Sequence, residues 1–106
     1  MTVVPAQKAE TERQLETAVV ELAHYCGWRS YHSWMSIHSA QGFPDLTLGR
    51  RGRLIFAELK AEKGKLSAHQ EAWLAELRLV QSASGGIVAV YCWRPSDWPE
   101  IEEALR

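Results

Sequence analysis

Two carboxylates and one lysine stand out because of where they sit. Glu58 lies inside the apolar run Leu54-Ile55-Phe56-Ala57-Glu58-Leu59-Lys60, and Asp45 follows Pro44 directly. Most other acids fall on expected helix surfaces, where solvation accounts for them. Alternate residues of a strand share a face, so Glu58 and Lys60 point the same way. Asp45 opens the neighbouring hairpin strand, close enough to share a site. Burying an isolated carboxylate is costly, and so is burying an ammonium. A divalent cation held between the two acids reconciles the set, and carboxylate and main-chain oxygens suit magnesium or manganese. Taken singly, a structural Glu58–Lys60 pair at a sheet end and a turn aspartate after proline would serve as well. The combination is much rarer than either part: Pro-Asp, then twelve residues with a glycine-flanked hairpin, then Glu-Leu-Lys.

These residues need a hairpin and helices to position them. Thr11-Glu12-Arg13-Gln14 is a capping-box pattern, with a hydroxyl for the first free amides and a glutamine reaching back. The helix it opens runs to about residue 26 and stops at Gly27. Leu15, Val19, Leu22, Ala23 and Cys26 form its apolar stripe at about 100° per residue. Residues 28–34 read as a strand, 35–44 as a loop, and 45–48 and 54–60 as two further strands. Between these two, Gly49-Arg50-Arg51-Gly52-Arg53 supplies a turn with two glycines able to take positive φ. Residues 61–66 form a charged loop. Ser67-Ala68-His69-Gln70 is a second capping box, opening a helix through about residue 81 with Trp73, Leu74, Leu77 and Val80 inward. After Gly85-Gly86, the apolar run 87–93 is expected as a strand buried on both faces. Arg94-Pro95-Ser96-Asp97 turns into a short last helix. The order α-β-β-β-α-β-α, with a right-handed crossover between the third and fourth strands, predicts a mixed four-stranded sheet flanked by helices.

The chain has 106 residues, 46% hydrophobic and 24% charged. That fits one α/β domain over residues 11–106 behind a ten-residue flexible leader, with no separate recognition module. Disorder, collagen and coiled coil are excluded as the main architecture. No apolar run approaches the roughly 18 residues that span a bilayer. The first ten residues lack a signal-peptide layout, so a cytoplasmic protein with no membrane partner is expected. Cys26 and Cys92 fit neither a metal spacing nor a disulfide framework and are expected as buried free thiols. No two of His24, His32, His38 and His69 have the i, i+4 spacing of a zinc helix. Net charge is −1, yet residues 29–67 carry seven bases against three acids, a middle of +4 between ends that sum to −5. That asymmetry is compatible with a polyanion contacted on one face.

Gly42-Phe43-Pro44-Asp45-Leu46 followed by Phe56-Ala57-Glu58-Leu59-Lys60 resembles the PD-(D/E)xK nuclease motif. Gly64-Lys65-Leu66-Ser67 with Gln70 and Trp73 resembles its VRR-NUC branch, and the likeness covers residues 11–93. Small stand-alone members of that branch occur in phages and bacteria and are similar to Holliday-junction resolvases. The resemblance implies a restriction-endonuclease-like core and a magnesium- or manganese-dependent deoxyribonuclease. It implies a metal held by Asp45, Glu58 and the Leu59 carbonyl, with Lys60 orienting or helping to deprotonate the attacking water. It also places Gln70 beside the site, a position its capping role explains equally well. The family tends to add an acid from the first helix. Glu12 aims toward the apolar stripe, and its place in Thr-Glu-Arg resembles the start of the resolvase helix, so it is the chosen catalytic and metal-ligand candidate. Glu16 is the alternative, and an acid compensating the helix dipole would look the same.

Arg50, Arg51, Arg53, Lys63 and Lys65 are expected to flank the site on its two nearest loops and are candidate phosphate contacts. Each alone also reads as a surface charge. His38 lies in the loop before the motif, and Trp34 is a candidate for base stacking. The resemblance further implies branched or structured DNA as substrate, and a homodimer with two cutting sites across one junction. It also implies a DNA-repair or replication partner, in a bacterial or phage-infected cell. Two rival readings keep the fold and change the role. One is a DNA-binding module that does not cut; the other is a nuclease subunit active only in a larger complex.

Overall fold

A computed structural model describes residues 11–33 and 40–106. Helix α1 (Glu12–Tyr25) starts on the expected capping box. The Gln14 amide donates to Thr11 Oγ1 at 3.1 Å, and the Thr11 amide to Gln14 Oε1 at 3.0 Å. It closes on Gly27 at φ +86°, where the Gly27 and Trp28 amides bond back to the His24 and Ala23 carbonyls, the Schellman arrangement. Strand β1 (Arg29–His32) leaves at once. Strands β2 (Leu46–Arg50) and β3 (Arg53–Leu59) follow. Their turn is tighter than the five residues expected. Arg51 at φ +50° and Gly52 at +78° make a two-residue loop, and Gly49 stays in the strand. Two central residues at positive φ match the strand twist, so pairing extends right up to them.

Helix α2 (Ala68–Ala83) opens on the second capping box, between Ser67 and Gln70. Strand β4 (Val88–Trp93), a 3-10 turn (Pro95–Asp97) and helix α3 (Trp98–Leu105) complete the chain. The sheet order is β1-β2-β3-β4. The first three strands are antiparallel, and β4 runs parallel to β3 after the α2 crossover. This is the α/β core expected, a mixed four-stranded sheet flanked by helices and consistent with a restriction-endonuclease-like fold. No helix among the described residues is long and apolar enough to cross a membrane.

Strand alternation sorts the core into two layers. On one face, α1 and α3 bury Leu15, Val19 and Ile101 against Leu46, Leu48, Ile55 and Trp93. On the other, α2 buries Leu74 and Leu77 against Val90, edged by Phe43, Phe56 and Trp73. Strand β4 is covered from both sides, as its apolar run predicted. Val80, expected inward, is 47% exposed. The next sheet-facing position after Leu77 is Gln81, whose Oε1 accepts from the Val90 amide at 2.9 Å. A polar side chain therefore satisfies the free edge of β4, and Val80 falls to the rim. Cys26 and Cys92 are free, half-buried thiols.

The C-terminal ends of α1 and α3 meet at the closed end of the β2–β3 hairpin. Exposed carbonyls there need donors. Arg50 supplies them: Nη1 reaches the Cys26 and Leu105 carbonyls at 2.8 and 3.1 Å, and Nη2 reaches Arg106 O at 2.8 Å. Its guanidinium lies 4.5 Å over the Trp28 ring, and Trp28 Nε1 also donates to Leu105 O. Arg50→Met keeps the aliphatic stem and removes the three guanidinium bonds, leaving only the Trp28 Nε1 donor to Leu105 O. It should lower stability by about 2–3 kcal/mol, read as an earlier urea midpoint with unchanged slope.

Candidate active site

The Gly-Phe-Pro-Asp lead-in is built to deliver one side chain. Gly42 adopts φ +90°, and a Cβ there would run into the His69 carbonyl and the Gln70 amide. The loop thus lies directly on the first turn of α2. Phe43 packs edge-on against Phe56 and Trp73, with centroids 5.8 and 4.9 Å away. Pro44 is fully buried, and its carbonyl accepts from Ser33 Oγ at 2.9 Å. The Ser33 amide bonds the Asp45 carbonyl at 2.9 Å, extending the β1–β2 pairing by one residue.

Strand register then brings the acids together. Leu46 pairs with Ala57, so one step further along the ladder sets Asp45 opposite Glu58, on the face away from α1. Asp45 Oδ2 accepts from the Leu59 amide at 2.8 Å. Within a strand the amide and carbonyl of one residue lie on the same edge, so the Leu59 carbonyl is on the Asp45 side too. Glu58 is 1% exposed, and neither carboxylate oxygen has a hydrogen-bond partner. Burial, and then the Asp45 carboxyl beside it, push the Glu58 pKa up to about 9, while Lys60 draws it partly back. Lys60 is itself buried yet makes no direct ion pair among the described residues. A plain Glu58–Lys60 salt bridge therefore does not explain the two buried charges. A buried acid with no donor, set opposite a second acid that takes one main-chain amide, presents hard oxygen ligands, the donor set a divalent cation takes. No three His, Cys, Asp or Glu side chains converge among the described residues, so such a cation would rest on this pair and main-chain oxygen.

The VRR-NUC domain family model matches residues 4–92. The chain belongs to the VRR-NUC domain family. That family is of the PD-(D/E)xK nuclease type, and the acid pair lies within the matched residues. No curated protein and no solved structure matches the chain.

The remaining candidates of this VRR-NUC chain divide sharply. Glu12 is exposed, as are Thr11, Arg13 and Gln14, and the first buried residue of α1 is Leu15. The periodicity read its direction, but among the described residues burial on α1 begins only at Leu15. Glu16, one turn later, bonds His32 Nδ1 at 3.0 Å. Burial raises its pKa, His32 draws it partly back, and the Asp45 charge raises it again, so Glu16 is the α1 acid within electrostatic reach of Asp45. Gln70 uses Oε1 to accept from the Ser67 amide at 2.9 Å, while its own amide lies against Gly42. Arg50, Arg51 and Arg53 do not flank the acids. They sit at the turn of the hairpin, and the acids sit at its open end, because a short turn must lie at the opposite end from the strands' free termini. Arg50 is moreover committed to carbonyls. Only Lys63 and Lys65, exposed in the loop after β3, lie at the acid end. Trp34 and His38 fall outside the described residues.

Two residues that the sequence reading passed over hold that loop. Arg94 Nη1 donates to the carbonyls of Ala61 at 2.8 Å and Gly64 at 2.6 Å. The Glu62 carboxylate accepts from the Ser96 amide and hydroxyl at 2.9 and 2.7 Å. Nothing in the order of residues marks either contact, since both cross thirty or more positions.

Two expectations follow for the protein without divalent cation. Gly42→Ala meets both a backbone clash and a disfavoured φ, and should cost about 1–3 kcal/mol in a denaturant titration. For Glu58, the folded pKa lies above the unfolded value. Between 4.5 and about 9 the folded chain therefore holds more protons, and stability falls as pH rises through that window. In EDTA, Glu58→Gln should gain on wild type as pH climbs from 4.5 toward 9. A stability gap that stays flat with pH would contradict this.

Proposed function

We propose that this VRR-NUC chain is a divalent-cation-dependent DNA endonuclease that hydrolyses phosphodiester bonds in branched, Holliday-junction-like DNA. We further propose that it acts as a homodimer, in the cytoplasm of a bacterial or phage-infected cell. The observation that carries the reading is the Glu58 carboxylate, buried without a donor and opposed to Asp45. Membership of a nuclease domain family supports it. The preference for junctions and the dimer rest on the likeness to small resolvases seen in the sequence.

Asp45, Glu58 and the Leu59 carbonyl would hold magnesium or manganese, which when bound supplies Lewis-acid activation of water and charge neutralisation at the phosphate. The chain's own groups do the rest. Lys60 holds its ammonium beside the pair, where it can orient the attacking water and offset charge developing on the phosphoryl oxygens. Asp45 fixes the Leu59 main chain through its amide. Glu16 keeps negative potential on the α1 side, and Lys63 and Lys65 face the DNA backbone.

The test is cleavage of labelled junction, flap and linear duplex DNAs with magnesium or manganese. Wild type should cut junctions most efficiently. Asp45→Asn, Glu58→Gln and Lys60→Met should each lose about 10²–10⁴-fold in rate while still binding DNA. Magnesium should raise the Tm of wild type and leave that of Glu58→Gln unmoved. DNA bound but never cut would favour a binding module. Cutting only with an added host or phage protein would favour a subunit of a larger complex.

A further inference from the structure

The sheet carries a second concavity at the end away from the acids. The end of α1, the start of β1 and the β2–β3 turn enclose an open cavity of about 500 Å³, lined by Arg29, Arg50, Arg51 and Arg53 with Cys26 and Gly27. Arg29 reaches the rim from the sheet face that also bears Asp45, Arg51 from the tip of the turn, and Arg53 from the other side of the hairpin. All three are exposed. Among the described residues, none of the three makes an ion pair or a side-chain hydrogen bond. Like charges gathered in one concavity repel, and no internal contact here compensates.

The fourth arginine explains why the potential stays positive. The carbonyl ends of α1 and α3 converge on this region and would bring negative potential with them. Arg50 occupies those carbonyls, so the three free guanidiniums are in surplus. A guanidinium fork matches the paired oxygens of a phosphodiester, and the successive phosphates of DNA can engage several such forks at once. Between the two ends of the sheet, Tyr31 is 65% exposed and pairs with Thr47 on the same face as Arg29 and Asp45. Among the described residues, nothing covers Tyr31 there, which leaves a path for a strand of DNA to follow.

We propose that Arg29, Arg51 and Arg53 form a phosphate clamp that grips duplex DNA to one side of the scissile bond. From Asp45 to Arg51 the strand advances about 20 Å at ~3.3 Å per residue. Phosphates of one DNA strand advance ~3.4 Å per base pair, which sets the grip about six base pairs from the cut. The position of the cut rests on the nuclease reading; the clamp itself does not.

The test combines Arg29→Gln, Arg51→Asn and Arg53→Gln, with asparagine chosen because it tolerates positive φ. Arg78→Gln on α2 controls for net charge. Binding of a fluorescein-labelled duplex is titrated in EDTA across a salt series. The triple variant should lose about 2–3 units of salt slope and weaken at least tenfold at low salt, with Arg78→Gln close to wild type. In magnesium, trimming the duplex arm from about ten to about three base pairs beyond the cut, spacings set by the ~3.4 Å rise, should raise the KM of wild type at least tenfold. It should leave the KM of the triple variant unchanged, with kcat alike in both. A wild-type salt slope in the triple variant overturns the clamp, as does a wild-type KM indifferent to arm length. Binding that weakens as stated in a protein that cuts nothing sustains the clamp and overturns the nuclease reading alone.

Discussion

A carboxylate withdrawn from water with no donor for either oxygen is the constraint around which this molecule is arranged. Leaving one buried polar group unsatisfied costs about 1–3 kcal/mol, and more for a charge, within a total stability of only about 5–15 kcal/mol for such a domain. Glu58 bears that penalty on the third strand, with a second acid directly across the ladder. The apolar layers on both sides of the sheet must offset it. Trp28, Trp93 and Trp98 help by filling one layer with large side chains. Stability given up at one spot while packing is completed elsewhere is the common signature of a site kept for chemistry.

The surroundings act mainly as positioning devices. Gly42 lets the loop touch α2, Phe43 wedges between Phe56 and Trp73, and buried Pro44 aims the next residue. Asp45 in turn fixes the Leu59 amide. On the other side of Lys60, Arg94 gathers the carbonyls of the following loop. The acid pair and Lys60 sit between two restraints, one before Asp45 and one after Lys60, that belong to different parts of the chain.

Much of this was legible in the residues themselves. Both capping boxes, the Gly27 stop, the strand order and the shared face of the acids follow from local patterns that the structure reproduces. Glu58 stood out because an acid inside an apolar strand breaks its pattern, and Asp45 because it follows Pro44 directly. What was not legible depends on distance in space. Helical periodicity gave Glu12 a direction but could not say that packing starts only at Leu15. The arginines of the turn looked adjacent to the acids because they are close in sequence, yet a hairpin sends turn and open end apart. Arg50 read as a surface charge because its carbonyl partners come from the ends of two other helices. Glu16 gained its place through His32 on a neighbouring strand, a contact no spacing rule encodes.

The two-residue turn has one more implication, for the order in which the molecule assembles. Both acids belong to a single hairpin, and hairpins close in about 1–10 μs. Strand β4, by contrast, must await the α2 crossover, a non-local and slower step. The carboxylates therefore meet while the chain is still half built and water still screens them. When the helices dock and expel that water, Glu58 takes up a proton, as its raised pKa requires, so the protonation step of the acid pair belongs to late helix docking rather than to strand pairing.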